Sequence, residues 1–223
     1  MKLRYKFIMI FSFVILCCFA WRIKDSKAIS VMSRINEKVI LLDAGHGGWD
    51  PGKVSIDGIE EKEVNLEIVK HLQKYLENGG ATVLLTRNED EALRENKKDD
   101  LKERIAIAEE GEVDIIVSIH QNSFTQEEIK GAQVFYFKNS NEGEKLAKCI
   151  QNRLKNNVDE KNNRQAKANE EYFILKNNDA TTVLVECGFL SNATEKELLN
   201  DEKYRRKISW AIYLGIVDYF NSI

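Results

Sequence analysis

KVILLDAGHGGWDPG, residues 38–52, is a short apolar run emptying into a glycine-rich loop. Lys38 to Asp43 is nearly all apolar, which suits a strand buried on both faces. Four of the next nine residues are glycine, so the chain turns there. Beyond the turn, Glu60 to Leu76 has helical spacing, with Ile68, Val69, Leu72 and Leu76 recurring at three and four. Gly79-Gly80 ends that helix. Strand, loop and helix then repeat. Ala81 to Thr86 reads as a second strand. The mixed charge of residues 88–103 reads as a solvated loop or exposed helix, and Leu101 to Ala108 carries helical spacing. Asp114 to Ile119 and Gly131 to Phe137 are the next strands, followed by a helix from Glu142 to Leu154. Asn156 to Glu171 reads as a polar loop. Tyr172 to Leu175 and Thr182 to Glu186 are further strands. A last helix carries Tyr204, Ile208, Ile212, Ile216 and Tyr219 on one stripe. This alternation predicts one α/β domain from about Asn36, with a twisted, mostly parallel sheet of about six strands flanked by helices.

The whole chain has 223 residues, 43% hydrophobic and 31% charged, which suits one globular domain with an ample core. A net charge of −3 gives no electrostatic footprint for nucleic acid. Ahead of the domain, Lys2, Arg4 and Lys6 precede an apolar run from Phe7 to Trp21 that only Ser12 interrupts. This is the pattern of an export signal. Residues 1–28 are therefore expected to be an export signal or a short membrane anchor, with Ser26-Lys27-Ala28 a weak cleavage site. The run is short of the roughly 20 residues a spanning helix prefers. Export across the cytoplasmic membrane follows, with membrane contact only through this segment. Cys149 and Cys187 remain beyond it, show no CxxC spacing, and read as small buried apolar residues rather than a thiolate site.

Four polar clusters lie at the ends of apolar elements: AGHGG around His46, EEKEVNL around Glu61, SIHQNS around His120, and VLVECGF around Glu186. In a parallel sheet, sites form outside the carboxyl ends of strands. His46, His120 and Glu186 follow or end strands, and Glu61 opens a helix at the same edge. Two imidazoles and a carboxylate suit zinc, and a further glutamate suits proton transfer. Each residue also has a structural reading. His46 could bond only to backbone, and His120 could be a satisfied core histidine. Glu61 could merely favour the helix dipole, as Glu60 or Glu63 could. Glu186 resists such a reading, because it ends a run that should be buried and unpaired buried carboxylates are costly. His71, beside the apolar stripe of its helix, reads as solvated.

With DAGHGGWDPG, Glu61-Lys62, Asn65-Leu66, SIHQNS, KGAQVFYF and LVECGFLSN in this order, the chain resembles the zinc-dependent N-acetylmuramoyl-L-alanine amidases of amidase type 3 over residues 38–222. Within them it is most similar to the short germination-specific branch. The resemblance implies that residues 36–223 are a zinc amidase domain. It implies His46, Glu61 and His120 as zinc ligands and Glu186 as the catalytic residue. Thr86-Arg87 and Leu101 to Arg104 also match, and both arginines read as structural or peripheral. Thr181 stands where the family usually has proline, and Glu109 where relatives often have asparagine.

The implied substrate is peptidoglycan. The bond cut joins the lactyl carbonyl of N-acetylmuramic acid to L-alanine of the stem peptide. In the spore cortex this is the first step toward muramic-δ-lactam. The implied place of action is the cell wall or the spore intermembrane space. An accessory lipoprotein is an implied partner. Alternatives are an exported peptidoglycan-binding protein without catalysis, a zinc carboxypeptidase acting on the same polymer, and a sugar deacetylase. The last fits less well, because it would want an Asp-His-His ligand set.

Overall fold

A computed structural model describes residues 34–223, so the expected export segment lies outside the described residues. Among the described residues, no helix is long and apolar enough to cross a membrane. Six strands form one sheet: β1 (Val39–Ala44), β2 (Thr82–Leu85), β3 (Ile115–Asn122), β4 (Gln133–Phe137), β5 (Lys167–Asn169) and β6 (Thr181–Phe189). Their order is β2-β1-β3-β6-β4-β5. The first four run parallel, β4 is antiparallel to β6, and β5 is parallel to β4. The near-continuous apolar runs of β1, β3 and β6 thus lie at the centre of the sheet, as burial on both faces requires.

Among the described residues, these helices cover the sheet: α1 (Glu61–Asn78), α2 (Lys97–Glu110), α3 (Asn141–Asn157), α4 (Phe173–Lys176), α5 (Ala193–Asn200) and α6 (Glu202–Ser222). Four begin with a side-chain cap, from Asn96, Ser140, Asn192 and Asp201. Each cap satisfies a backbone N–H that the first turn leaves free. The apolar stripe of α6 is buried at Ile208, Ile212, Ile216 and Tyr219. Between them Gly215 lets α3 approach closely, since a Cβ there would stand 2.5 Å from Ile150 Cα.

The two faces of the sheet are covered unequally. Ile40, Leu42 and Ala44 of β1 share the larger core with Ile115, Val117 and Ile119 of β3 and Val183, Val185 and Cys187 of β6, against α1, α3 and α6. The intervening side chains Leu41, Ile116 and Leu184 form a smaller core with Ala108 of α2, Ile174 and Leu175 of α4, and Phe135 of β4. Successive side chains on a strand point to opposite faces. Residues in phase with this second set therefore stand on the thinly covered face: Asp43, Ser118, His120 and Glu186.

Three sequence expectations change. Tyr172 to Leu175 is no strand: Phe173–Lys176 is a single helical turn that packs Ile174 and Leu175 onto the sheet. The sixth strand is instead Lys167–Asn169, inside the stretch expected as loop. Being an edge strand, it needs few apolar residues, and a short apolar run cannot be assigned by periodicity alone. His71 is only partly solvated: it is half-buried, its Nε2 lacks a partner among the described residues, and burial with nearby Arg206 lowers its pKa. Cys187 is fully buried and Cys149 half-buried, both free.

Candidate active site

The β1–α1 loop leaves the sheet through an unusual turn. His46, Gly47 and Gly48 have φ of 63°, 137° and 54°. Left-handed backbone is uncommon for a residue with a side chain and marks local strain. Two buried arginines hold the turn. Arg104 donates to the Ala44 and His46 carbonyls at 2.9 Å each. Arg87 donates to Ala44 O at 2.9 Å, Gly45 O at 3.2 Å and Lys62 O at 2.7 Å. The arginines are structural, as expected, and their structural task is to seat the His46 loop.

The turn delivers the His46 ring toward Glu61. Nε2 of His46 lies 3.3 Å and Nδ1 of His120 lies 3.0 Å from Glu61 Oε1. One atom from each of the three residues lies within 4.8 Å of the other two. Glu61 Oε1 also accepts the Gln121 N–H at 3.0 Å, and Oε2 accepts the Lys53 N–H at 2.8 Å. Burial would raise the Glu61 pKa, but the two imidazoles outweigh it and hold the group well below the usual carboxylate range. On the far side, His46 Nδ1 donates to Asp50 Oδ2 at 2.9 Å. An ionised Asp50 can only accept, so this bond turns the lone pair of His46 Nε2 toward Glu61. An imidazole lone pair facing a carboxylate requires a proton or a cation between them. The paired carboxylates do raise the His46 pKa against the effect of burial.

Glu186 stands beside His120, its register partner across β3 and β6. It is buried, and burial pushes its pKa up to about 7, with Glu61 adding to the rise and His120 opposing it. Its Oε1 accepts the Tyr172 hydroxyl at 3.2 Å, while the buried Oε2 has no partner among the described residues. A cavity of about 440 Å³ opens over this face, lined by His46, Glu61, His120 and Glu186 with Trp49 and Tyr172 among the others. All four residues singled out from the sequence thus meet in one cavity.

The family model for N-acetylmuramoyl-L-alanine amidase, Amidase_3, matches residues 40–218. The chain belongs to this amidase family. The germination-specific N-acetylmuramoyl-L-alanine amidase of Bacillus subtilis (strain 168) is 37% identical over 194 residues, covering 83% of this chain and 81% of its own. AmiA of Escherichia coli (strain K12) is 28% identical over 229 residues, covering 83% and 77%. The CwlD amidase from Clostridioides difficile, solved in complex with the GerS lipoprotein, has a TM-score of 0.79 and 42% identity, covering 84% of this chain and 100% of that one.

In this amidase the cavity also depends on residues the sequence reading passed over. Asp43 lies near the end of β1 as Glu186 lies on β6, in a buried run, so the argument applied to Glu186 applies equally to it. It accepts from Arg104, Thr86 and Ser118 at 2.6, 2.9 and 2.5 Å. Asp50 lay within the quoted motif with nothing to mark its partner. Tyr172 lay in a stretch read as a strand. Asn65 and Gln121, which the matched motifs contain without a role, brace Glu61 and each other: Asn65 Nδ2 donates to Gly45 O at 3.0 Å and lies 3.4 Å from Glu61 Oε1, the Gln121 N–H donates to Glu61 Oε1 at 3.0 Å, and Gln121 Nε2 donates to Asn65 Oδ1 at 3.0 Å.

Proposed function

We propose that this chain is a zinc amidase that cleaves the bond between N-acetylmuramic acid and L-alanine of peptidoglycan stem peptides, in the cortex of the spore. The observation that carries this reading is the Glu61 carboxylate between two imidazole nitrogens at 3.0 and 3.3 Å. Two neutral imidazoles and one carboxylate are a zinc donor set that leaves a coordination position for substrate chemistry. His46, Glu61 and His120 would hold the ion. Once bound, zinc supplies Lewis acidity, easing deprotonation of water and polarising an amide carbonyl.

The protein's own groups do the rest. Asp50 holds His46 in the tautomer whose Nε2 is free to ligate. The unpartnered Oε2 of Glu186 is the acceptor for the proton of the attacking water. Its oxygen adds to the lactyl carbonyl carbon, the carbon–nitrogen bond breaks, and Glu186 returns the proton to the departing L-alanine amine. Export is supported by the basic and apolar pattern of residues 2–21. By the complex reported for the Clostridioides difficile relative, a lipoprotein is the proposed partner.

Mass spectrometry of muropeptides tests the activity. Zinc-loaded protein incubated with cortex peptidoglycan is expected to release intact stem peptides. Shortened peptides would mean a carboxypeptidase, deacetylated glycan a deacetylase, and an unchanged polymer, with or without the lipoprotein, a binder.

Gly45→Ala tests the zinc seat. A Cβ at Gly45 would lie 2.2 Å from both Cε1 and Nε2 of His120, so the ring must leave its position. The variant is expected to lose most of its zinc affinity while remaining folded. Zinc titration together with circular dichroism checks this, and wild-type affinity would count against His120 as a ligand.

A further inference from the structure

We infer that Tyr172 is a positioning residue for the proton-carrying glutamate: its hydroxyl holds Oε1 of Glu186 and leaves Oε2 as the oxygen without a partner, the one to take the proton. This rests on the reading of Glu186 as the proton carrier. The terminal torsion of a glutamate is broad, so a carboxylate without a fixed partner samples many orientations. Here one oxygen is tied to Tyr172 at 3.2 Å and the other is buried and free.

The tyrosine is itself anchored from two strands. Its N–H and that of Glu171 donate to Asn169 Oδ1, on β5, at 2.8 and 2.7 Å. Its ring meets Phe135 of β4 edge to face, with centroids 5.5 Å apart and planes at 74°. Tyr172 then caps the single turn α4, whose Ile174 and Leu175 are buried against the sheet. A hydroxyl on so fixed a ring has one main place to donate. The edge strand β5 therefore has a catalytic consequence: it supports the wall that carries Tyr172.

Tyr172→Phe removes the hydroxyl and keeps the ring. The expected result is a fall in kcat of about 10- to 100-fold, the scale on which misplacement of a reacting group costs rate. KM and zinc stoichiometry are expected to stay unchanged. Asn169→Ala, which loosens the anchor without touching the carboxylate, is expected to lower kcat by a smaller factor, again at constant KM. Wild-type kcat in Tyr172→Phe overturns the inference. So does a loss carried by KM, which would make the hydroxyl a substrate contact, or by zinc occupancy, which would make it a support for the metal. Glu186→Gln measured alongside separates the two levels: if that variant stays active, the assignment of Glu186 itself has failed, whatever Tyr172→Phe does.

Discussion

Glu186→Gln is expected to lower turnover roughly a thousandfold, within the range general acid–base groups contribute, and to leave zinc binding intact. The amide matches the carboxylate in size but cannot accept and return a proton. Glu186 is not among the three residues whose atoms cluster within 4.8 Å, so the proposed zinc ligands are untouched. The substitution has a second, opposite effect on stability. Burial raises the folded pKa of Glu186 from 4.5 to about 7. A group raised in this way contributes stability below its unfolded pKa and loses that contribution as pH climbs through the folded value. At pH 8 the ionised carboxylate thus destabilises the metal-free protein, by an amount of order 3 kcal/mol. The metal-free Glu186→Gln protein is therefore expected to melt higher than metal-free wild type at pH 8, and no higher at pH 4. Muropeptide rates, zinc analysis and calorimetry at the two pH values read all three effects. Wild-type turnover, or loss of zinc, would remove Glu186 from its proposed role.

Arg104→Leu is expected to destabilise the fold by about 3–5 kcal/mol, the usual cost of stripping one partner from a buried ion pair. That corresponds to a fall in melting temperature of about 10 °C or more. Arg104 and Asp43 are 3% and 2% exposed, so neither charge has water to fall back on. The loss reaches the site as well, because Arg104 also carries the Ala44 and His46 carbonyls. Arg104→Lys should recover part of the stability and little of the zinc affinity: it restores a charge but not the planar fork that spans Asp43, Asp100 and the loop. The same pair marks an acid limit. Burial would raise the Asp43 pKa, but Arg104, His120 and Ser118 overcome it and lower the group from 3.8 to about 2. A depressed carboxyl contributes stability above its unfolded pKa and loses it as pH falls through the folded one, here worth about 2 kcal/mol between pH 4 and 2. Acid titration of wild type and Arg104→Leu, followed by circular dichroism, should show this steepening in the wild type alone.

Much of the fold was readable because its signals are local. β1, β3 and β6 are apolar runs long enough to be buried on both faces, and α1 and α6 show their core stripes by spacing alone. The misread segments were short or at an edge. Lys167–Asn169 pairs on one side only, so its composition carries no strand signal. Phe173–Lys176 is too brief for either period to show. The site followed the same division. His46, Glu61, His120 and Glu186 stand out as polar residues placed where a strand stops or a helix starts. Tyr172 and Asp50 carry no such mark, since what distinguishes each is a partner elsewhere in the fold: Glu186 for one, the His46 ring for the other.

From residues 38–52 and their successors, the order of the long strands and helices was already legible, together with the edge of the sheet at which its polar clusters would collect. Those properties depend on periodicity and on residue type, both of which are written along the chain. Which face of the sheet is left open, which imidazole nitrogen turns to Glu61, and which oxygen of Glu186 is held and which is free were settled by packing. Each depends on contacts between residues far apart in the sequence, such as His120 with Glu61, 59 positions before it. Linear order does not encode those distances. They are set when α2 and α4 cover one half of this face of the sheet and leave the other half as the cavity lined by His46, Glu61, His120 and Glu186.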